Sequence, residues 1–137
     1  MSFLNGLRGM WNHKPQSREE WIIPESDSEL DNYLKPDSGL VIIYKHSFSC
    51  GVSIFAKSRL EDSIDEINKC ADCIFIDVKL NRYLSNKIAE KTGVRHESPQ
   101  LLLLNNGEIF WHGSHGSVQV HPIIESIEEI TGTRILG

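Results

Sequence analysis

The chain lacks the features that would direct it to a membrane, a nucleic acid or an oxidising compartment. No apolar run approaches the ~20 residues a spanning helix needs. There is no excess of positive charge: 14 Lys and Arg stand against 19 Asp and Glu, a net charge of −5. That balance gives no support to a nucleic-acid or anionic-membrane partner. Met1 to Met10 has neither a continuous apolar core nor a small-residue cleavage site, so it does not read as a secretory leader. Cysteine is scarce and odd in number, three in 137 residues. Free thiols in a reducing cytoplasm are expected, not a disulfide framework. There is no internal repeat, low-complexity tract or interdomain linker, and the length suits one domain with one core.

What is present is a short arm over residues 1–20 and a domain over 21–137. In the arm, Phe3, Leu4, Met10 and Trp11 are expected to pack on the domain surface or to meet a partner. Trp21–Ile23 reads as a first short strand, and Ser26 or Ser28 as the cap of a helix reaching about Leu34. Leu40 to Tyr44 is a continuous apolar run with β-branched residues, the pattern of a strand covered on both faces. A helix from Val52 to about Asn68 would bury Val52, Phe55, Ala56, Leu60, Ile64 and Ile67 and expose Lys57, Arg59, Glu61, Asp62 and Glu66. Cys73–Val78 is a third strand, and Arg82 to about Lys91 a helix with Tyr83, Leu84, Ile88 and Ala89 as its apolar positions. Gln100–Leu104 and Glu108–His112 form a hairpin about Asn105-Asn106-Gly107, and a loop over Gly113–Ser117 leads to a helix ending near Thr131. Strands alternating with helices, then a hairpin and a closing helix, predict an α/β thioredoxin-like domain. Its core is a mixed sheet of four or five strands with helices on both faces.

The chemistry concentrates where the central strand hands over to the long helix. Cys50 stands at that junction. The first amides of a helix have no partner inside it, and the helix dipole puts partial positive charge there, so a thiolate is stabilised. Ser53 occupies the place where a dithiol enzyme carries its second cysteine, so no internal disulfide can close. Cys70-Ala71-Asp72-Cys73 is the better motif on spacing alone, but its context is poor. Cys70 lies near a helix end, where the dipole opposes a thiolate, and Cys73 opens a buried strand.

Lys45-His46-Ser47, Cys50-x-x-Ser53, His96-Glu97-Ser98-Pro99-Gln100 and Trp111-His112-x-Ser114-His115 occur in order. Over about residues 20–131 the chain resembles the YtxJ-type redox-active proteins of the bacillithiol system, the monothiol bacilliredoxins. One departure stands out. Gly51 replaces the family's usual bulkier residue, so that Cys50-Gly51-Val52-Ser53 approaches the Cys-Gly-Phe-Ser motif of monothiol glutaredoxins.

The resemblance implies a thioredoxin fold and removal of bacillithiol, or a glutathione-like thiol, from S-thiolated client proteins. The small thiol acts as co-substrate, with no tightly bound cofactor. It makes Cys50 the nucleophile with Ser53 beside it, Pro99 a cis-proline opposite the thiol, and the Ser98 backbone a strand-like partner for the bound thiol. Lys45 and His46, just before the cysteine loop, would favour a thiolate and attract an anionic thiol, or else form a solvated strand end. Ser114 and His115, before the last helix, are expected to hold the thiol's carboxylate. No metal site is expected: His112, His115 and Cys50 offer suitable ligand types, but no periodicity puts them on one face. Two other functions stay open, an iron–sulfur carrier ligating a cluster through Cys50 and a small thiol, and a non-catalytic interaction module.

Overall fold

The computed structural model describes residues 20–135, so the expectations for the arm before Glu20 lie outside the described residues. In chain order the elements are α1 (Asp27–Asp31), β1 (Leu40–His46), α2 (Gly51–Glu61), α3 (Ile64–Asn68), β2 (Asp72–Asp77), α4 (Arg82–Thr92), β3 (Gln100–Asn105), β4 (Glu108–Ser114), a 3-10 turn (His115–Ser117) and α5 (Val120–Thr131). The strands form a four-stranded sheet in the order β2-β1-β3-β4. β1 runs parallel to β2 and antiparallel to β3, and β3 is antiparallel to β4.

The inner strands are apolar throughout because both their faces are covered. On one face Ile42, Tyr44, Phe75, Leu101 and Leu103 pack with Ala56 and Leu60 of α2, Ile64 and Ile67 of α3, and Ile123 and Ile127 of α5. On the other, Val41, Ile43, Ile74, Ile76, Leu102 and Leu104 pack with Leu30, Leu84 and Ile88 of α1 and α4.

The expected first strand shrinks to a single bridge from Ile22 to Ile74. Ile22 donates to Cys73 O and accepts from Phe75 N, at 2.8 and 2.9 Å. Pro24 has no N–H with which to extend the ladder, and Trp21 turns into the core. The long helix expected from Val52 to Asn68 is two helices. Asp62 caps the first, and Ser63, with φ −119° and ψ 7°, opens the second. Short polar side chains favour such caps over helix interiors.

The buried stripe of α2 is also shifted from the one expected. Ser53, Ala56, Lys57 and Leu60 face inward, whereas Val52 and Phe55 are exposed, Phe55 at 69%. Lys57 covers its stem and donates to Glu61 at 2.8 Å, and the same carboxylate oxygen accepts from Trp21 Nε1 at 2.8 Å. Tyr83, expected inward, is exposed and donates to Glu25 O. α1 stops at Asp31 and does not reach Leu34. The strand expected to end at His112 continues to Ser114, and the expected loop closes into the 3-10 turn. Pro122 is accommodated in the first turn of α5, where its missing N–H has no partner to lose.

The β3–β4 hairpin turns on Asn106 and Gly107, with φ 53° and 83°. A Cβ on Gly107 would lie 2.8 Å from Leu34 O and 3.0 Å from Lys35 O. Gly93, which ends α4 at φ 77°, has open space around it. Gly107→Ala should therefore cost about 3 kcal/mol, and Gly93→Ala about 1 kcal/mol. Urea unfolding of the two variants checks the order.

Candidate functional site

The sheet register assembles the site at one end. Lys45 pairs with Gln100, and Gln100 with Ser114. One step further along, His46 on β1, Pro99 before β3 and His115 after β4 stand in a row, tied by a bond from His115 N to Pro99 O at 2.8 Å. The Ser98–Pro99 peptide is cis. Asp77 is the partner of His46 on β2. The strand-to-helix junction bearing Cys50 lies at this same end.

Cys50 is the N-cap residue of α2 and is partly exposed. Its thiol makes no capping hydrogen bond. It is nonetheless held below its ordinary pKa, chiefly by the Ser53 amide, against an opposing desolvation, with the Val52 amide and the Ser53 hydroxyl adding to the effect. Ser53 is fully buried, and its Oγ accepts from Ser47 N at 3.3 Å. The hydroxyl proton is thereby left for the sulfur. Cys73 is the opposite case: burial pushes its thiol up to about 12. Cys70 is exposed beyond the end of α3, and neither it nor Cys73 is bridged.

Behind Ser53 runs a buried chain of polar groups. The Tyr44 hydroxyl donates to Ser53 O at 2.9 Å and lies 2.9 Å from His46 Nδ1. A hydroxyl has one proton, so Nδ1 supplies the second bond and Nε2 carries a bare lone pair. That Nε2 is buried and has no partner among the described residues. The ring stacks edge-on against Phe48, with centroids 4.3 Å apart. Burial, with Lys57 adding to it and Asp77 opposing, pushes the imidazole down to about 4. His46 is therefore neutral at physiological pH.

Lys45 belongs to the other face, alongside Val41 and Ile43, because side chains alternate along a strand. It is fully buried, and its Nζ meets Ser85 O and His96 Nδ1, each at 3.3 Å. This corrects the expectation that Lys45 and His46 act together beside the sulfur: neither is a solvated strand end, one is neutral, and the other points away. Ser114 also joins that back face, accepting from Gln100 Nε2 at 3.2 Å. His115 stays exposed, with Nε2 3.8 Å from Glu97 Oε1.

The family model of the monothiol bacilliredoxin BrxC matches residues 25–123. The chain belongs to the monothiol bacilliredoxin family. Among solved structures it is similar to a thioredoxin-fold protein described as a candidate oxidoreductase, at 29% identity and TM-score 0.67, covering 77% of this chain and 91% of that one. It is similar in fold to a variant thioredoxin of Halobacterium salinarum NRC-1, at 22% identity and TM-score 0.61, covering 84% and 95%. The same holds for the thioredoxin of Trypanosoma brucei brucei, at 13% and 0.66, covering 89% and 97%. The fold is the thioredoxin fold, and the family supports a thiol redox role.

The candidate site thus gathers Cys50, Ser53 and His46 on one face and Lys45, His96, Gln100 and Ser114 on the other, with Ser98, Pro99 and His115 on the rim. Sequence reasoning missed Tyr44, although its hydroxyl is the one polar tip in an otherwise aliphatic run. It also missed a groove of about 520 Å³ between α2 and the start of α5, where Val52 and Phe55 face Gly116 and Val120. The signal was available: Val52 and Phe55 share one side of the helix three residues apart, at positions that a buried stripe through Ser53, Ala56, Lys57 and Leu60 leaves out. No helix among the described residues is long and apolar enough to cross a membrane.

Iodoacetamide at neutral pH should modify Cys50 well ahead of Cys73. Ser53→Ala should raise the Cys50 pKa but leave it below the free-cysteine value, since the two amides remain; thiolate absorbance against pH measures this. His46 sets a second expectation. Its unfolded pKa is about 6.5 and its folded value about 4. Between them the unfolded chain holds a proton that the native chain lacks, so stability falls as pH drops from about 6.5 to 4. Urea midpoints across that window should show a slope that shrinks in His46→Asn.

Proposed function

We propose that the chain removes bacillithiol from S-thiolated proteins by monothiol exchange at Cys50. The carrying observation is a single activated thiol at the start of α2, with a buried serine where a resolving thiol would stand. The Cys50 thiolate attacks the sulfur of the small thiol in the client's mixed disulfide. A new S–S bond forms between Cys50 and the small thiol, the old one breaks, and the client's thiolate leaves and takes a proton. A second small thiol, as thiolate, attacks the small thiol's sulfur in the Cys50 adduct. It releases the symmetrical disulfide and returns Cys50 as thiolate. In the net exchange the client sulfur passes from disulfide to thiolate, the second small thiol passes from thiolate to disulfide, and the first stays at the disulfide level throughout.

The surroundings support this reading. Among the described residues the Ser98 N–H and C=O pair with no other backbone group, leaving them for a substrate that adds as a strand. Gly116 brings the turn before α5 to the groove beside Val52 and Phe55. The backbone amides of Gly116 and Ser117 are the proposed donors to the thiol's carboxylate, since Ser114 is engaged by Gln100 and His115 already faces Glu97. A Cβ on Gly51 would meet nothing within 4 Å, so packing does not demand glycine there. Its smallness leaves room beside the sulfur, the feature that also sustains the cluster-carrier reading.

Reduced protein and Cys50→Ala are each incubated with a bacillithiolated and a glutathionylated client, and intact mass is followed. The expected result is loss of the bacillithiol adduct with wild type alone. Preference for glutathione moves the protein to glutaredoxin chemistry. A brown preparation that transfers neither thiol replaces the proposal with cluster carriage, and normal transfer by Cys50→Ala overturns it.

A further inference from the structure

The back face of the site holds a group that packing alone does not explain. Lys45 is fully buried at the end of β1. Its two partners, Ser85 O and His96 Nδ1, are neutral, and among the described residues no carboxylate lies within ion-pair distance of its Nζ. Burial, and the guanidinium of Arg82, push the ammonium down to about 8, which still leaves it charged at neutral pH. An unpaired buried cation opposes folding. Met or Leu would continue the row of Val41 and Ile43 without that cost. A destabilising group kept in a core calls for a function.

What Lys45 holds is the segment that leads into Pro99. From Val94 to Glu97 the chain has no regular secondary structure. Two neighbouring sheet positions grip it from behind. Lys45 reaches the His96 ring, and its cross-strand partner Gln100 donates to Arg95 O at 2.8 Å. We propose that Lys45 is a positioning residue, which acts through His96 to hold the Arg95–Ser98 segment in place for substrate pairing at Ser98. It does not act through its field at the sulfur. It lies on the sheet face opposite Tyr44 and His46, and it is not among the groups that shift the Cys50 thiol. The substrate role of Ser98 rests on the exchange reading above; the grip on the segment does not.

The test uses Lys45→Met and His96→Ala in the full chain. Both should raise KM for a bacillithiolated client by about tenfold with kcat within about twofold. The Cys50 titration should not move. Tryptic cleavage after the exposed Arg95 should quicken by about tenfold in both, and cleavage after Lys69 should stay as in wild type. Lys45→Met should melt no lower than wild type. A raised Cys50 pKa at unchanged KM overturns the proposal in favour of direct electrostatics. Unchanged KM and unchanged cleavage after Arg95 in folded Lys45→Met overturn it in favour of simple packing. Should Lys45→Met not fold, His96→Ala, altered at a partly exposed ring, carries the same outcomes. If wild type itself moves no thiol, the exchange reading fails, and cleavage after Arg95 still decides whether Lys45 holds the segment.

Discussion

The site depends on one buried hydroxyl. Tyr44 stands on the central strand, and its O–H reaches the carbonyl of Ser53 in the first turn of α2. A bond of this kind contributes only about 1 kcal/mol net. Leaving the hydroxyl or the His46 N–H unpaired in an apolar core would cost more than making the bond gains. The core therefore enforces the geometry: to bury Tyr44 at all, the helix must present Ser53 O to it. Ser47 N and Ser53 Oγ add a second tie between loop and helix. With Ser53 fixed at both its carbonyl and its hydroxyl, its amide faces the sulfur of Cys50. The low thiol pKa is in this sense a property of the packed strand as much as of the helix end.

The same strand serves two purposes by alternation. Tyr44 and His46 point to the face that carries Cys50, and Lys45 between them points to the face that holds the Arg95–Ser98 segment. Gln100 and Ser114 continue the Lys45 row across the sheet. The row of His46, Pro99 and His115 continues on the other side of the pleat. A sheet end can thus carry activation on one surface and substrate positioning on the other, with only the cis-proline rim shared between them.

That division explains what could be read from the sequence and what could not. Apolar runs located β1, β2 and β3, and Cys50 was placed at a strand-to-helix junction from its neighbours alone. Inside a continuous apolar run, however, no alternation reveals which face a residue takes. Lys45 and His46 lie past the expected strand end at Tyr44, as a basic pair beside the cysteine or a solvated strand end; β1 instead runs on to His46, and alternation puts the two on opposite faces of the sheet. The helical stripe failed on the side of α2 that borders the groove. Val52 and Phe55 have the spacing of core residues but line the groove between α2 and the start of α5, while Lys57 takes a core position by pairing with Glu61. Departures of this kind are expected at binding sites, where local pattern gives way to exposure. The break at Asp62-Ser63 was legible in principle, since both residues favour caps. The cis bond at Pro99 was not readable from composition or spacing, and only resemblance pointed to it.

The monothiol character follows from the same interactions. Ser53 Oγ accepts the Ser47 amide while keeping its own proton for the sulfur of Cys50. A cysteine in its place would be a weak acceptor and a weak donor. It would loosen the loop carrying the nucleophile and supply less stabilisation to the thiolate. It would also introduce a second thiol into a position that is fully buried here, and burial raises thiol pKa values, as Cys73 illustrates. On the exchange reading proposed above, the residue at 53 serves by fixing and activating Cys50, and resolution passes to a thiol that arrives from outside.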